Sequence, residues 1–216
     1  MSAKPQQKRM TVAEYLAHER AATYKSDFID GRLYPVHNPY GPPDPTGMAG
    51  GSREHNLVKD NLAGELFGLL KPCGCTIHVS DQRVRVSPSG RYTYPDIVIV
   101  CDPPEYAGDD RDALTNPQIV IEVLSNSTER YDRGLKFAEY QRQPTIREIV
   151  LVAQGRVRAE RYVRQPDGTW TYQAFDNQVG HFELATVPVR IPMSDVYRGV
   201  DLAAYAPPPE IEPDAD

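Results

Sequence analysis

At 216 residues the chain has room for one sizeable α/β core and little room for two. With 40% apolar residues and no apolar run near the roughly 20 residues of a membrane span, it reads as globular and excludes a membrane-spanning helix. The formal charge of −6 speaks against an openly phosphate-binding surface.

Residues 1–9 are polar and basic and lack the apolar stretch of a signal peptide, so they are expected to be disordered and the location cytoplasmic. Thr11-Val-Ala-Glu14 is a capping box that opens a helix to about Arg20. Residues 27–34 follow as two strand-like runs around the turn signal Asp30-Gly31. Residues 37–51, rich in Pro and Gly, are expected to form a loop. Ser52 caps a helix to about Lys71, with Val58, Leu62, Leu66 and Leu69 at helical spacing. Cys73 and Cys75 flank a glycine, and Cys101 makes the count 3, an odd number that excludes a fully paired framework. No second Cys/His pair at zinc spacing accompanies them, so structural or incidental cysteines are expected.

Residues 76–79 and 83–86 read as strands, and 95–100 and 117–124 are nearly continuous β-branched runs that suit the middle of a sheet. Ser127 or Thr128 caps a helix to about Arg142, ended by Pro144. Residues 147–153, 157–164 and 169–175 form an antiparallel β meander, separated by Gln154-Gly155 and Pro166-Asp167-Gly168. Residues 206–216 hold Glu210, Glu212, Asp214 and Asp216 among prolines and read as a disordered acidic tail. Without those acids the body is nearly neutral, so charge neither supports nor excludes DNA. Residues 10–205 then make one domain of α+β or mixed α/β class, a central mixed sheet flanked by helices with a C-terminal antiparallel meander.

Glu122 is the anomaly in this pattern. Strand alternation puts it on one face with Val120 and Leu124, and a carboxylate there is costly unless paired or bound to a cation. Asp96 raises the same problem at the start of the other buried run. Neighbouring strands would bring the two together, and oxygen-only ligation suits Mg²⁺ or Mn²⁺. The competing reading has Asp96 capping a turn after Pro95 and Glu122 paired with an arginine such as Arg83 or Arg85. Lys136, in the helix after Glu122, forms an i, i+4, i+8 row with Asp132 and Tyr140. It either swings over the end of the Glu122 strand or makes an ordinary Asp132–Lys136 helix pair.

The residues Tyr94-Pro95-Asp96, Ile121-Glu122-Val-Leu-Ser125-Asn-Ser-Thr128 and Tyr131-Asp132-Arg133-Gly134-x-Lys136 resemble the Uma-two family of restriction-endonuclease-like proteins. Thr11-Val-x-Glu14-Tyr-Leu, Ile29-Asp30-Gly31 and Arg147-Glu148 also fit its pattern, over roughly residues 10 to 190. The resemblance implies a PD-(D/E)xK fold with Asp96 and Glu122 as metal ligands. The lysine usual two positions after the acid is replaced by Leu124, and the resemblance displaces it to Lys136. The family's early acid falls on Asp27, where glutamate is usual, and its helix histidine on His55. The latter is either a site residue or a half-buried histidine beside Val58 and Leu62.

The implied activity is metal-dependent hydrolysis of phosphodiester bonds in nucleic acid, DNA first, with a homodimer as the means of cutting a duplex. The alternative is a degenerate nuclease fold acting as a DNA-associated or mobile-element binding module. A third reading is an interaction protein with no metal.

Overall fold

The computed structural model describes residues 9–41, 51–177 and 179–205. The expected disordered segment 1–9 (save Arg9), the tail 206–216 and most of the expected 37–51 loop lie outside the described residues.

The chain runs α1 (Val12–Ala21), β1 (Ser26–Ile29), β2 (Arg32–Pro35), α2 (Arg53–Leu70), β3 (Thr76–Val79), β4 (Arg83–Ser87), β5 (Arg91–Thr93), β6 (Ile97–Val100), β7 (Ala113–Leu114) and β8 (Ile119–Leu124). It continues with α3 (Glu129–Tyr131), a π turn (Asp132–Lys136), α4 (Phe137–Arg142), β9 (Glu148–Ala153), β10 (Arg158–Arg164), β11 (Trp170–Asp176), β12 (His181–Glu183), β13 (Arg190–Pro192) and α5 (Met193–Val196). Local chemistry accounts for the punctuation. Thr11 and Glu14 close both arms of the capping box on α1, and the Ser52 side chain accepts the His55 N–H at the start of α2. Asp30 and Gly31 both take positive φ, 51° and 78°, which gives the β1–β2 hairpin its two-residue turn.

The central sheet has six strands in the order β11-β10-β9-β8-β6-β3. Within this sheet only β8 and β9 pair in parallel, joined by the helical crossover 129–142; its other pairs are antiparallel. The expected meander, β9-β10-β11, forms half of the central sheet. A second sheet, β2-β1-β5-β4-β7, joins the expected hairpin and the expected strand at 83–86 to β5 and β7, which are too short to be read from periodicity.

All six residues of β8 are buried, and they divide by parity. Ile119, Ile121 and Val123 pack with Val58, Leu62 and Leu66 of α2. Val120 and Leu124 pack with Tyr140, Ile149, Leu151 and, from the second sheet, Val84, Val86 and Leu114. Cys75 and Cys101, expected to be structural or incidental, form a disulfide because the Thr76–Val100 pairing brings their backbones together; Cys73 is free and exposed.

Candidate functional site

Asp96 and Glu122 meet because β6 and β8 pair with Ile97 opposite Ile121, which makes residues 96 and 122 the next cross-strand position. Each strand end holds the other's carboxylate. Asp96 N donates to Glu122 Oε2 at 3.3 Å, and Val123 N donates to Asp96 Oδ2 at 2.8 Å. Pro95 lacks an N–H, so the strand begins only at Ile97 and leaves Asp96 at its mouth.

From the first turn of α2, His55 sets Nε2 3.2 Å from Asp96 Oδ2. Its Nδ1 is buried with no hydrogen bond among the described residues. A Cβ on Gly51 would come within 2.7 Å of that nitrogen, so the chain passes His55 there only as glycine.

Lys136 arrives from the opposite side. Residues 129–142 form one helix whose register widens at the π turn, where the Phe137 N–H reaches the Asp132 carbonyl. Single π turns recur at functional sites because the widened register re-aims side chains. Here Lys136 Nζ lies 2.9 Å from Glu122 Oε1 and 3.7 Å from Asp132 Oδ1, and donates to the Tyr94 carbonyl at 3.0 Å. The Tyr140 hydroxyl donates to the same Glu122 oxygen. The helix pair and the reach over the strand thus coexist, with Lys136 only 3% exposed. Neither arginine of the competing reading touches Glu122: Arg83 pairs with Asp110 and Arg85 with Asp109.

Asp27 is fully buried behind the cavity wall. Its Oδ1 accepts the Tyr94 N–H at 2.7 Å and its Oδ2 the Tyr131 hydroxyl at 2.9 Å. His55, Asp96, Glu122, Asp132 and Lys136 line a cavity of about 350 Å³, with Ser125 and Thr128 on its rim. Asp132 was visible in the sequence only as a helix-pair partner. The row Asp132, Lys136, Tyr140 was the signal that all three face one way.

Burial pushes the Glu122 carboxyl well up, and Asp132 and Asp96 add to that push against the pull of Lys136. Asp96 is half-buried, which would raise its carboxyl, but the hydrogen bond and charge of His55, with Lys136, hold it below the usual carboxylate value. Burial raises Asp27 to about 6 and raises Asp132, Lys136 opposing both. Burial disfavours the charged forms of Lys136 and His55, yet the surrounding acids keep both values raised. Four carboxyl groups therefore share one ammonium and one imidazole, an arrangement that favours a further cation. Among the described residues no three His, Cys, Asp or Glu side chains converge on one point, so a cation here would rely on Asp96 and Glu122.

The family model Uma2, described as "Putative restriction endonuclease", matches residues 12–194. Two proteins of Synechocystis sp. are similar. "Uncharacterized protein sll1609" is 34% identical over 163 residues, 76% of this chain and 85% of that one. "Uncharacterized protein slr1290" is 31% identical over 195 residues, 89% and 93% of the two chains. A crystal structure from Anabaena variabilis, titled as "a putative nuclease belonging to DUF820", matches in fold with a TM-score of 0.66 at 14% identity, over 87% of this chain and 97% of that one.

Proposed function

The chain belongs to the Uma2 family, and from that premise we propose that it is a metal-dependent nuclease cutting phosphodiester bonds of nucleic acid, DNA first, with Asp96 and Glu122 holding Mg²⁺ or Mn²⁺. The observation that carries this reading is the meeting of Lys136 and Glu122 at 2.9 Å directly across the strand pair from Asp96. Two carboxylates with water completing the shell suit Mg²⁺, which keeps most of its waters when bound to protein. When bound, the cation would polarise the scissile phosphate and lower the pKa of the attacking water.

The chain's own residues supply the rest. His55 holds Asp96 ionised, and Glu122, whose carboxyl burial pushes well up, would add the second negative charge once a cation is bound. The Lys136 ammonium, fixed by Asp132 and the Tyr94 carbonyl, can donate to a non-bridging phosphate oxygen as negative charge builds there. Cutting both strands of a duplex takes two such sites, which a twofold homodimer would provide.

The test is calorimetric titration with Mn²⁺ together with cleavage of supercoiled and single-stranded DNA. Wild-type protein should bind Mn²⁺ and cut, while Asp96→Ala and Glu122→Ala should do neither. Unchanged Mn²⁺ affinity in both variants overturns the site. A second reading, a nuclease fold that binds without turnover, is favoured by the want of a third ligand among the described residues. Mn²⁺ and DNA bound by wild-type protein with no cut product would select it.

A further inference from the structure

Two further cavities adjoin the one around Asp96 and Glu122. One, of about 270 Å³, shares Val36, His37 and Tyr94 with it; the other, of about 470 Å³, shares Asn126, Gln154 and Tyr205. The central sheet sets their order. The end of β9, the end of β8 and the start of β6 lie side by side along one sheet edge, carrying Gln154, Glu122 and Asp96 in turn. The two further cavities therefore flank the centre, and the three form one trench with the acids in its middle. The wall on the β9 side is pinned. The Tyr205 hydroxyl accepts from Gln154 Nε2 and donates to Glu54 Oε2, each at 3.3 Å.

Each arm of the trench carries a cation. In the first, Lys25 Nζ stands 5.9 Å from the centre of the Tyr94 ring, and its ion pair is with Asp81, whose side chain is 84% exposed. Exposed pairs of this kind are weak, so Lys25 can exchange Asp81 for another anion. His37, in the wall between Lys25 and the centre, feels that charge. Burial, then Lys25, His55 and Lys59, lower its pKa against the pull of Asp96. In the second arm Arg156 is exposed and makes no ion pair among the described residues. The carboxylates of the arms are already engaged. Glu19 turns one oxygen to the Ser26 N–H at 3.1 Å and buries the other, and Arg133 holds Glu129 at 2.7 Å.

Along the trench the order of charge is thus cation, acid pair, cation. A polyanion suits that order once a metal ion neutralises the middle. A chain of phosphodiesters with one phosphate at Asp96 and Glu122 carries its neighbours into the arms, because negative charge recurs at every nucleotide. The net charge of −6 offers such a chain no general attraction, so local cations have to supply it.

We propose that Lys25 and Arg156 bind the phosphates on either side of the one held at Asp96 and Glu122, so that a polynucleotide backbone runs the length of the trench across the strand ends. This rests on the nuclease reading for the phosphate at the centre. Phosphate contacts position a chain without reading its bases, so binding should be indifferent to base sequence.

The test reads binding without cleavage. A short labelled oligonucleotide is titrated by fluorescence anisotropy over a range of salt concentrations, with Ca²⁺ in place of Mg²⁺. Lys25→Gln and Arg156→Gln should each weaken binding at low salt and lower the slope of log affinity against log salt by about one, the share of a single phosphate contact. Two controls separate contact from general charge. Arg147→Gln removes an exposed arginine at the opposite end of β9 and should leave the slope unchanged. Asp81→Asn frees Lys25 of its partner and should not weaken binding. Slopes unchanged in both trench variants, a fall in only one of them, or an equal fall in Arg147→Gln overturns the proposal. Poly-glutamate that competes as well as unlabelled oligonucleotide of equal charge overturns it too. Cleavage assays with Mg²⁺ on the same proteins keep the two ideas apart. The expected slopes without any cleavage refute the nuclease reading alone, and cleavage with unchanged slopes refutes the trench alone.

Discussion

Asp27 and Lys136 are held on opposite sides of one residue: the Tyr94 N–H donates to Asp27 Oδ1 at 2.7 Å, and the Tyr94 carbonyl accepts from Lys136 Nζ at 3.0 Å. Asp27 thus acts on the cavity through the backbone. The structure shows it as an anchor, its two oxygens taken by the Tyr94 N–H and the Tyr131 hydroxyl.

Asp27→Ala should therefore leave the Tyr94 N–H and the Tyr131 hydroxyl unpaired in the interior, a loss on the order of 2–4 kcal/mol. Cleavage should fall as Lys136 loses its backstop, while Mn²⁺ affinity stays within a few-fold of wild type. Asp27→Asn, which keeps one acceptor oxygen, should recover most of the stability. Thermal melts beside Mn²⁺ calorimetry decide the matter; a collapse of Mn²⁺ binding in Asp27→Asn would make Asp27 a ligand instead.

Much of this was legible in the sequence because it rests on period and local chemistry. The alternation in 117–124 put Glu122 with Val120 and Leu124, and the structure has that face. The Asp30-Gly31 turn and the caps at Thr11 and Ser52 follow from side chains within a few positions of each other. Of the second sheet, the 27–34 hairpin and the 83–86 strand were legible, but β5 and β7 were not, because they are three and two residues long and their burial comes from partners remote in sequence. The Lys136 geometry was half legible. Its helix row was visible, but the π turn that aims it depends on hydrogen bonding that no residue type announces.

Glu160 is a structural acid remote from the candidate ligands. Burial would raise its pKa, but Arg133 Nη1 at 2.6 Å and Arg158 Nε at 2.7 Å outweigh that and hold it at about 2. A folded value below the unfolded one contributes stability above about pH 4.5 that is lost as the pH falls towards 2. The contribution is at most about 3 kcal/mol, since each tenfold change in proton affinity is worth roughly 1.4 kcal/mol. Water reaching the two half-exposed guanidinium groups screens the pairs and brings it lower. Glu160→Gln should lower Tm at pH 7 and flatten the decline between pH 4.5 and 2. Parallel acid limbs in the two proteins would assign the decline to other groups.

The Cys75–Cys101 disulfide closes a loop with a sequence separation of 26. In the chain-entropy account such a closure contributes about 3.5 kcal/mol. A reductant should therefore lower the Tm of wild-type protein and leave that of Cys101→Ser unmoved. If reductant shifts neither protein, the thiols are unpaired in solution. A reducing compartment would then impose no stability cost.

Lys136 offers the sharpest contrast between sequence and structure. As an exposed partner of Asp132 it would cost a few tenths of a kcal/mol to remove, and Lys136→Ala would be expected to leave stability nearly intact. In the structure it is 3% exposed and faces Glu122 at 2.9 Å, with Asp132 and the Tyr94 carbonyl as further partners. Lys136→Met fills the same space without the charge, so Glu122 and Asp132 are left buried beside each other with no cation. Breaking a buried pair in this way costs roughly 3–5 kcal/mol. The sign of the pH dependence follows. The folded variant should bind protons on those acids more tightly than the unfolded chain does, so its stability should rise as the pH falls from 8 towards 5. Mn²⁺ should restore part of the lost Tm, and more than it adds to wild type, because it replaces the missing positive charge. Cleavage should be abolished throughout. Moving the cation back with Leu124→Lys should not rescue it, since Leu124 is 3% exposed and packs among Val120, Tyr140 and Leu151. Melting curves from pH 5 to 8, with and without Mn²⁺, measure all of this. A Lys136→Met protein as stable as wild type at every pH would falsify the buried pair and return Lys136 to the surface of its helix.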